Sequence, residues 1–438
     1  MKKTLLLFIM FSVLLLAQTK QTSVLNLEQA ISLALEKNAD LKIASMEVNK
    51  SEEKLREARS GLFPKLDVNG QYQRYIDKPV IFLPPGSPLG QTLTIGSDNS
   101  YSAAASLSVP LFAWSLYQGI GLASDALTIS QENYRSVKNK VVGDVKKAFL
   151  AVLLTRETKD VMQQSLKNAE DNFENIKRLN SAGTLSDYDV LRAEVQVENL
   201  KPTVLQMENN YVLSLEALKV TIGLDANQDI DVIGEMNFEE PYQIPTQQDV
   251  IDELIKNNPQ LAILENQVKL NDRNISLENS AYLPTLAGFG SYQYQAQAND
   301  FKFSDYNWVK TFVLGVQLQI PIFNGFKTQA RVSQAEIGLN QSVEQKRNFT
   351  EALKTQALSI LYRIEQAVKR IEGQNKTVSQ AAEGYEIAKR RLANSVAIQL
   401  EVNDAELALR QAKLNRLQAI YDLKVAEADL ENVLGRIK

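Results

Sequence analysis

The sequence of this chain repeats itself, and this tandem repeat limits the folds available to the chain more than any other feature. The segment LFPKLDVNGQY, with Pro64, recurs as YLPTLAGFGSY, with Pro284, at a shift of 220 residues. SLSVPLF recurs as QLQIPIF at a shift of 211, and VTIGL matches ENVLG so that Gly223 stands opposite Gly435 at a shift of 212. Two halves in one register predict one architecture built twice. The change of shift from 220 to 211 places nine extra residues of the first half in DKPVIFLPPGSPLGQTLTIGSDN, which its prolines and glycines predict to be a loop.

The N-terminal segment MKKTLLLFIMFSVLLLA is typical of a secretory signal peptide, because two lysines precede a short apolar run that ends at a small residue. Cleavage is expected after Ala17. A membrane anchor is the alternative, but the run is shorter than the roughly 20 residues that a spanning helix needs. The predicted organisation is therefore a signal peptide over 1–17, a first repeat over 18–225 and a second repeat over 226–438.

The composition excludes several classes of site. The chain has no cysteine and no histidine, so disulfides, zinc sites built on these ligands and histidine-dependent triads are excluded. The net charge of −4 gives no electrostatic signature of nucleic-acid binding. Neither a glycine-rich phosphate loop nor an activated nucleophile is recognisable. The sequence therefore predicts a protein that is not an enzyme and that carries no cofactor and no resident metal.

Each half contains two segments that alternate strictly between apolar and polar residues. In 101–111 the odd positions are apolar and the even ones are small and mostly polar, whereas in 312–320 the apolar residues occupy the even positions. Strands of this kind suit a half-buried sheet in water or a transmembrane barrel with a wet lumen. The four predicted strands are approximately 65–78, 99–111, 284–297 and 308–321.

Two very long helices are predicted to close each half, over approximately 112–222 and 322–435. No proline occurs between Phe112 and Leu179 or between Ile322 and Lys438. At about 1.5 Å per residue, a helix of about 65 residues is on the order of 100 Å long, which exceeds a globular core. Apolar residues recur three and four positions apart, as in coiled coils. A fibrous coiled coil is the alternative, but it does not explain strands that interrupt the helices at matching places.

Four strands per chain also bear on assembly. Single-chain membrane barrels start at eight strands, and open sheet edges are not tolerated in lipid. If these strands cross a membrane, several chains must pool them, and three chains supply twelve. Helices that continue from the strand ends then form a hollow bundle coaxial with the barrel.

The chain closely resembles the TolC-like outer membrane efflux proteins over nearly all of its mature length. The resemblance rests on the tandem halves, on the openings LEQAISLALEKNADL and VIDELIKNNPQL, on SVPLFAW and QIPIFNG at the strand exits, and on the turn GTLSDYDVLRAE. It implies an α+β membrane protein. It also implies a homotrimer whose strands form a 12-strand transmembrane β-barrel in the outer membrane of a Gram-negative bacterium, with the barrel continuing into a long periplasmic α-helical barrel.

The function that the resemblance implies is a passive exit duct of a tripartite efflux or type I secretion system. Such a duct is gated at its periplasmic end, and a periplasmic adaptor (membrane fusion) protein and an inner-membrane pump engage it. Two alternatives stay open from the residues alone: a secreted coiled-coil spacer or adhesin, and the adaptor itself. The alternating strands favour the duct over a spacer, and the presence of two helical hairpins favours it over an adaptor.

The resemblance also places the gate. Asp404 falls on the family's constriction aspartate, Glu401 occupies a second acidic position one turn earlier, and Asp189 matches an acidic position in the closing contacts. The sequence departs from the family pattern where Ser395 replaces a glycine. Arg192 lies nine residues after Gly183, as Asp404 lies nine after Ser395, and is the expected basic partner. An ordinary solvated helix face is the alternative for all of these charges.

Two further sets of residues complete the expected sites. The resemblance places adaptor docking at the two helix-hairpin turns, which contain Gly183, Thr184, Ser395 and Val396; ordinary turns are the alternative. Aromatic residues near the loop ends of the strands are interpreted as a membrane-interface girdle, with sheet packing as the alternative. These residues are Tyr72, Tyr75, Tyr101, Tyr292, Tyr294 and Trp308.

Overall fold

The computed structural model describes residues 23–394 and 396–436. The predicted signal peptide and Ser395 lie outside the described residues. The chain divides into two compact units, and each takes segments from both sequence repeats. As far as they are described, the first comprises Met1–Glu47, Gln131–Ile263 and Lys346–Lys438, and the second comprises Val48–Ser130 and Leu264–Gln345.

The order of elements after Gly223 repeats the order before it: two helices, two principal strands and two long helices. Across the described ranges, no helix combines the length and the apolar character needed to cross a membrane. The helices are α1 (Leu27–Lys37), α2 (Ala39–Ser60), α3 (Trp114–Ser181), α4 (Asp187–Ile222), α5 (Gln247–Asn257), α6 (Pro259–Asn279), α7 (Lys327–Ala393) and α8 (Gln399–Leu434). The strands are β1 (Ser23–Leu25), β2 (Lys65–Arg74), β3 (Val80–Phe82), β4 (Thr92–Thr94), β5 (Asn99–Phe112), β6 (Ile230–Val232), β7 (Thr285–Ala298) and β8 (Val309–Gln319).

The first unit is held together by an apolar core to which the long helices and the short helices α1 and α5 contribute. Asn26 begins α1 with a capping box in which its side chain and that of Gln29 each accept from the other's backbone N–H. This reciprocal bonding satisfies two donors that the start of a helix leaves free. The parallel pair β1–β6 adds Leu25, Ile230 and Val232 to the core.

The same tertiary junction is built twice in this unit. Asn38 ends α1 and donates from Nδ2 to the carbonyl of Thr221 at 2.9 Å. Asn258 ends α5 and donates to the carbonyl of Val433 at 2.7 Å. Each junction therefore ties the end of a short helix to the last turn of a long one.

A glycine in the left-handed conformation completes each junction. Gly223 ends α4 with φ +87°, and Gly435 ends α8 with φ +67°. A Cβ on Gly435 would lie 2.5 Å from the carbonyl oxygen of Asn257, and one on Gly223 would lie 2.9 Å from that of Lys37. Only glycine meets both the conformational and the steric requirement at these positions.

Helix α4 differs from its repeat counterpart α8 in one respect. Pro202 lies inside α4, whereas α8 contains no proline. Because proline has no backbone N–H, residue 202 cannot donate the usual i→i−4 hydrogen bond to the carbonyl of Glu198.

The second unit contains an antiparallel sheet with the strand order β2-β5-β7-β8. Its register places Leu66, Leu107, Gly290 and Leu314 in one row, while Asp67, Ser106, Ser291 and Val313 occupy the row beside it on the other face. The odd residues of 101–111 and the even residues of 312–320 therefore share one apolar face, and the opposite face is mostly polar. Large side chains on the apolar face are open to the surroundings, with Leu314 76% exposed. Strands β2 and β8 are the two edges.

Candidate functional site

The turn between α3 and α4 is closed by backbone and side-chain hydrogen bonds. Gly183 adopts φ +78°, and the amide of Thr184 donates to the carbonyl of Leu179 at 3.0 Å. Ser186 then begins α4 with a capping box in which Asp189 is the partner. The Asp189 carboxylate accepts from the Ser186 hydroxyl at 2.7 Å and from its amide at 3.2 Å. Asp189 is therefore hydrogen-bonded to Ser186 in its own turn. Its role in the contacts that close the periplasmic end stays a prediction.

The turn between α7 and α8 is built differently. Ile398 begins α8 without any side-chain capping bond. The amide of Val396 donates to the carbonyl of Arg391 at 2.9 Å. An ion pair then links the two helices, because Arg391 Nη1 lies 3.0 Å from Glu401 Oε2. Of the basic residues near this turn, the structure thus selects Arg391 as the partner of Glu401.

Asp404 and Arg192 are both left without a charged partner in the described part of the chain. Asp404 is exposed on α8, and Arg192 is half-buried on α4. Neither forms an ion pair or a side-chain hydrogen bond with any residue in 23–394 or 396–436. The structure therefore does not join the predicted acid and base within one chain, and both charges remain available to another chain or to an ion.

A polar cleft of about 250 Å³ lies beside the second turn. The α3 side of the cleft presents Asn168, Asp171, Asn172 and Asn175, and the α7 side presents Tyr385, Lys389 and Leu392. Burial, reinforced by nearby carboxylates, raises the pKa of Tyr385 to about 12. The Tyr385 hydroxyl is therefore neutral throughout the physiological range. Leu392 is buried and packs in a small apolar cluster with Tyr385 and Val402.

Most of the predicted girdle aromatics come together at the loop ends of the strands. Tyr72 stacks on Tyr101 with ring centroids 5.0 Å apart, and Tyr294 stacks on Trp308 at 4.9 Å. Tyr306, which the sequence reading missed, links the two pairs through contacts at 5.5 Å with Tyr101 and 6.4 Å with Trp308.

The other two predicted aromatics lie apart from this cluster. Tyr292 is further along β7, opposite Ala105 and Phe312. Tyr75 has no ring contact with the described part of the chain. Whether the six residues form an interface girdle stays a prediction.

A second aromatic set, which the sequence reading also missed, lies at the opposite ends of the strands. Trp114 and Tyr117 follow β5 with centroids 6.0 Å apart, and Phe323 and Phe326 follow β8 at 5.4 Å. All four are exposed. Phe326 has φ +64°, a conformation that strains a bulky residue. Both pairs lie close to a Pro-aliphatic-Phe strand exit, but the repeat does not match them, since Phe323 stands opposite Phe112 rather than Trp114.

Within the described ranges, no group of acidic side chains is arranged to hold a metal ion. The geometry instead defines an amphipathic sheet, long helical hairpins and two exposed turns.

Comparison with known proteins identifies the family. The model of the outer membrane efflux protein family matches residues 30–224 and 250–436, so the chain belongs to that family. The predictions of a TolC-like family, of an outer-membrane location and of an outer-membrane exit duct are thereby confirmed. The family is one of ducts rather than of enzymes.

Individual proteins agree with this assignment. The chain is 21% identical over 413 residues to a probable efflux pump outer membrane protein, TtgC of Pseudomonas putida, covering 93% of this chain and 82% of TtgC. It is 22% identical over 434 residues to the alkaline protease secretion protein AprF of Pseudomonas aeruginosa, covering 97% and 88%. The fold is similar to that of the Campylobacter jejuni CmeC outer membrane channel, with a TM-score of 0.77, 17% identity and coverage of 96% of this chain and 90% of CmeC.

Proposed function

We propose that three copies of this chain form one duct in which their sheets close into a 12-strand barrel. The observation that carries the proposal is the four-stranded sheet, which has two unpaired edges, β2 and β8, and large apolar side chains open on one face. Lipid would cover the apolar face, and a neighbouring chain at each edge would pair the free backbone groups of β2 and β8. Pairing of β2 with β8 of the next copy repeats around a threefold axis until the sheet closes.

The long helices then form the periplasmic part of the duct. The hairpin turns at Gly183–Thr184 and at Ser395–Val396 are its periplasmic end, where a periplasmic adaptor docks and connects it to an inner-membrane pump. TtgC is named for an efflux pump and AprF for protease secretion. We therefore assign the choice of cargo to the pump and passive conduction to this chain.

The gate of the duct is proposed at Asp404. Three Asp404 carboxylates around the axis repel one another and attract cations, and none has a neutralising partner in the described part of its own chain. Glu401 is a weaker candidate, because Arg391 lies 3.0 Å from it. Arg192, likewise unpaired over those ranges, is proposed to hold neighbouring hairpins together in the closed state.

Light scattering and planar-bilayer recordings test the duct itself. Purified protein is expected to be a trimer with a small, discrete conductance. A folded monomer without conductance is inconsistent with the duct and favours a structural spacer.

Cation block tests the gate. Asp404→Asn is expected to weaken block by divalent and trivalent cations, and Arg192→Ala to raise the open fraction. Glu383→Gln is the matched control, since Glu383 is an exposed acid on α7 that has no partner among the described residues. If Glu401→Gln removes the block and Asp404→Asn does not, the ring lies one helical turn earlier. If neither changes the block, the constriction is elsewhere.

A further inference from the structure

The loop that contains the nine extra residues of the first repeat is an ordered hairpin. Strands β3 and β4 pair through Val80–Thr94, Ile81–Leu93 and Phe82–Thr92. The two ends of the hairpin are joined by an ion pair of 2.6 Å between Lys78 and Asp98. The amide of Asp98 also donates to the Asn299 side chain at 2.8 Å. The hairpin therefore has a defined base and a free outer end.

The free end is apolar and uncovered. Phe82 is 79% exposed and Leu89 is 67% exposed, and Val80, Ile81, Leu93 and Ile95 are exposed as well. A two-stranded hairpin with three residues in each strand has little stability without cover on at least one face. Contiguous exposed apolar surface of this kind marks an interaction site.

The charge pattern indicates what covers it. Residues 79–97 contain no Asp, Glu, Lys or Arg, although 23% of the whole chain is charged. Around a threefold axis each side chain meets its own copies, and a charged side chain would therefore meet like charges. An uncharged, apolar tip is the kind of segment that packs against identical copies without repulsion.

The position of the hairpin argues against lipid as the cover. The hairpin is inserted between the ends of β2 and β5, beyond the stacked rings of Tyr72 and Tyr101. It therefore continues past the level at which an aromatic girdle would mark the edge of the bilayer. Its lack of Lys and Arg also deprives it of groups that bind lipid phosphates.

We propose that the three copies of the 79–97 hairpin pack against one another on the threefold axis and cover the outer mouth of the duct. This inference rests on the trimer of the proposed function. The partner of each tip is a second copy of the same tip, with Phe82 and Leu89 in the contact. The duct then has an apolar closure at its outer end in addition to the charged constriction at Asp404.

The natural absence of cysteine allows a direct test by cross-linking. Single Phe82→Cys and Leu89→Cys variants are prepared as full-length trimers in detergent and treated with a mild oxidant. A disulfide requires two Cα atoms about 4.4–6.8 Å apart, so disulfide-linked dimers are expected only if the tips meet. Leu314→Cys is the matched control, because Leu314 is equally apolar and 76% exposed but lies on the sheet face assigned to lipid.

A second pair of variants separates packing from chance collision. In the Leu89→Cys background, Phe82→Asp places three carboxylates at the tips and is expected to reduce the dimer yield to the level of the Leu314→Cys control. Phe82→Leu is expected to leave the yield unchanged. An unaltered yield with Phe82→Asp overturns apolar packing of the tips.

Light scattering on the same samples distinguishes failure of the hairpin closure from failure of the trimeric duct. A trimer whose tip cysteines cross-link no more than Leu314→Cys overturns the hairpin closure and leaves the duct intact. Quenching of a Phe82→Trp variant by brominated lipid in liposomes, beyond the quenching of the two native tryptophans in the wild type, overturns it as well, because the tip then lies in lipid. A chain that does not trimerise refutes the proposed function itself.

Discussion

Of the glycines in the chain, Gly435 is the one at which an added Cβ would make the shortest contact, and replacing it with alanine tests the junction described above. The left-handed conformation costs an L-residue about 1–2 kcal/mol. The added Cβ would also stand 2.5 Å from the Asn257 carbonyl oxygen and 3.1 Å from its carbon. Because both atoms belong to the backbone, no side-chain rotation relieves the contact, and overpacking of this kind costs about 1–3 kcal/mol more. We therefore expect Gly435→Ala to destabilise the protein by about 2–5 kcal/mol.

Two other glycines calibrate the measurement. Gly223→Ala meets the same conformational cost but a wider contact of 2.9 Å with Lys37 O, so its effect is expected to be smaller. Gly373 lies in the interior of α7, and a Cβ added there would meet no atom within 4 Å outside the helix's own backbone. Gly373→Ala is therefore expected to stabilise the helix by about 0.5–1 kcal/mol.

Thermal unfolding followed by circular dichroism, in one detergent and at one scan rate, ranks the three variants. The expected order of melting temperature is Gly373→Ala, wild type, Gly223→Ala and Gly435→Ala, from highest to lowest. A Gly435→Ala protein that melts with the wild type refutes the junction geometry. If Gly373→Ala is destabilised as much as Gly435→Ala, the assay reports glycine replacement in general and the steric argument is wrong.

Two further predictions concern the sheet and the ion pair between α5 and the residue that follows the Gly435 cap. Leu107→Arg on the apolar sheet face is expected to cost up to about 2–4 kcal/mol near the bilayer midplane and to lower trimer yield, whereas Ser106→Arg on the polar face is tolerated; the reverse ranking of yields means that the faces are misassigned. Arg436, whose guanidinium donates to Glu253 at 2.6 Å, holds the pKa of Glu253 below its ordinary value of 4.5. The pair therefore stabilises the fold above about pH 4.5 and loses this contribution as the pH falls through the lowered pKa. Glu253→Gln should lower the melting temperature by a small amount at pH 7, and this difference from the wild type should shrink as the pH falls below 4.5; a difference that stays constant with pH contradicts the linkage.

The sequence carries much of the fold because its periodicities are strong. Alternation predicts a strand over 101–111, and β5 occupies Asn99–Phe112. The repeat sets Gly223 opposite Gly435, and both glycines end long helices in the left-handed conformation. The alternation can be seen within one short segment, and the repeat can be seen by comparing the two halves of the sequence directly.

Features that depend on distant residues do not follow from the sequence in this way. Periodicity does not show that α1 meets the end of α4, since the bond from Asn38 to Thr221 spans 183 positions. For the ordered hairpin within 79–97 the sequence predicts only a loop, because the segment is rich in Pro and Gly.

The candidate site contains one feature that the sequence indicates and one that it does not. The capping box at Asp189 had a recognisable signal in Ser-Asp-Tyr-Asp. The choice of Arg391 rather than Arg390 for Glu401 depends on which helix face each occupies at the end of α7. The sequence alone does not distinguish the two arginines as partners of Glu401.

The proline inside α4 gives the two helical hairpins of each chain different mechanics. Bending a helix where a hydrogen bond is already absent costs less than breaking one. Pro202 lies 15 residues beyond the start of α4 at Asp187, which is about 22 Å along the helix. We expect the hairpin of α3 and α4 to bend near Pro202. The hairpin of α7 and α8 contains no proline in α8, and we expect it to move as a rigid unit. In a threefold assembly the two kinds of hairpin alternate around the ring. A force applied to the turns therefore displaces the three hairpins that contain Pro202 more easily than the other three.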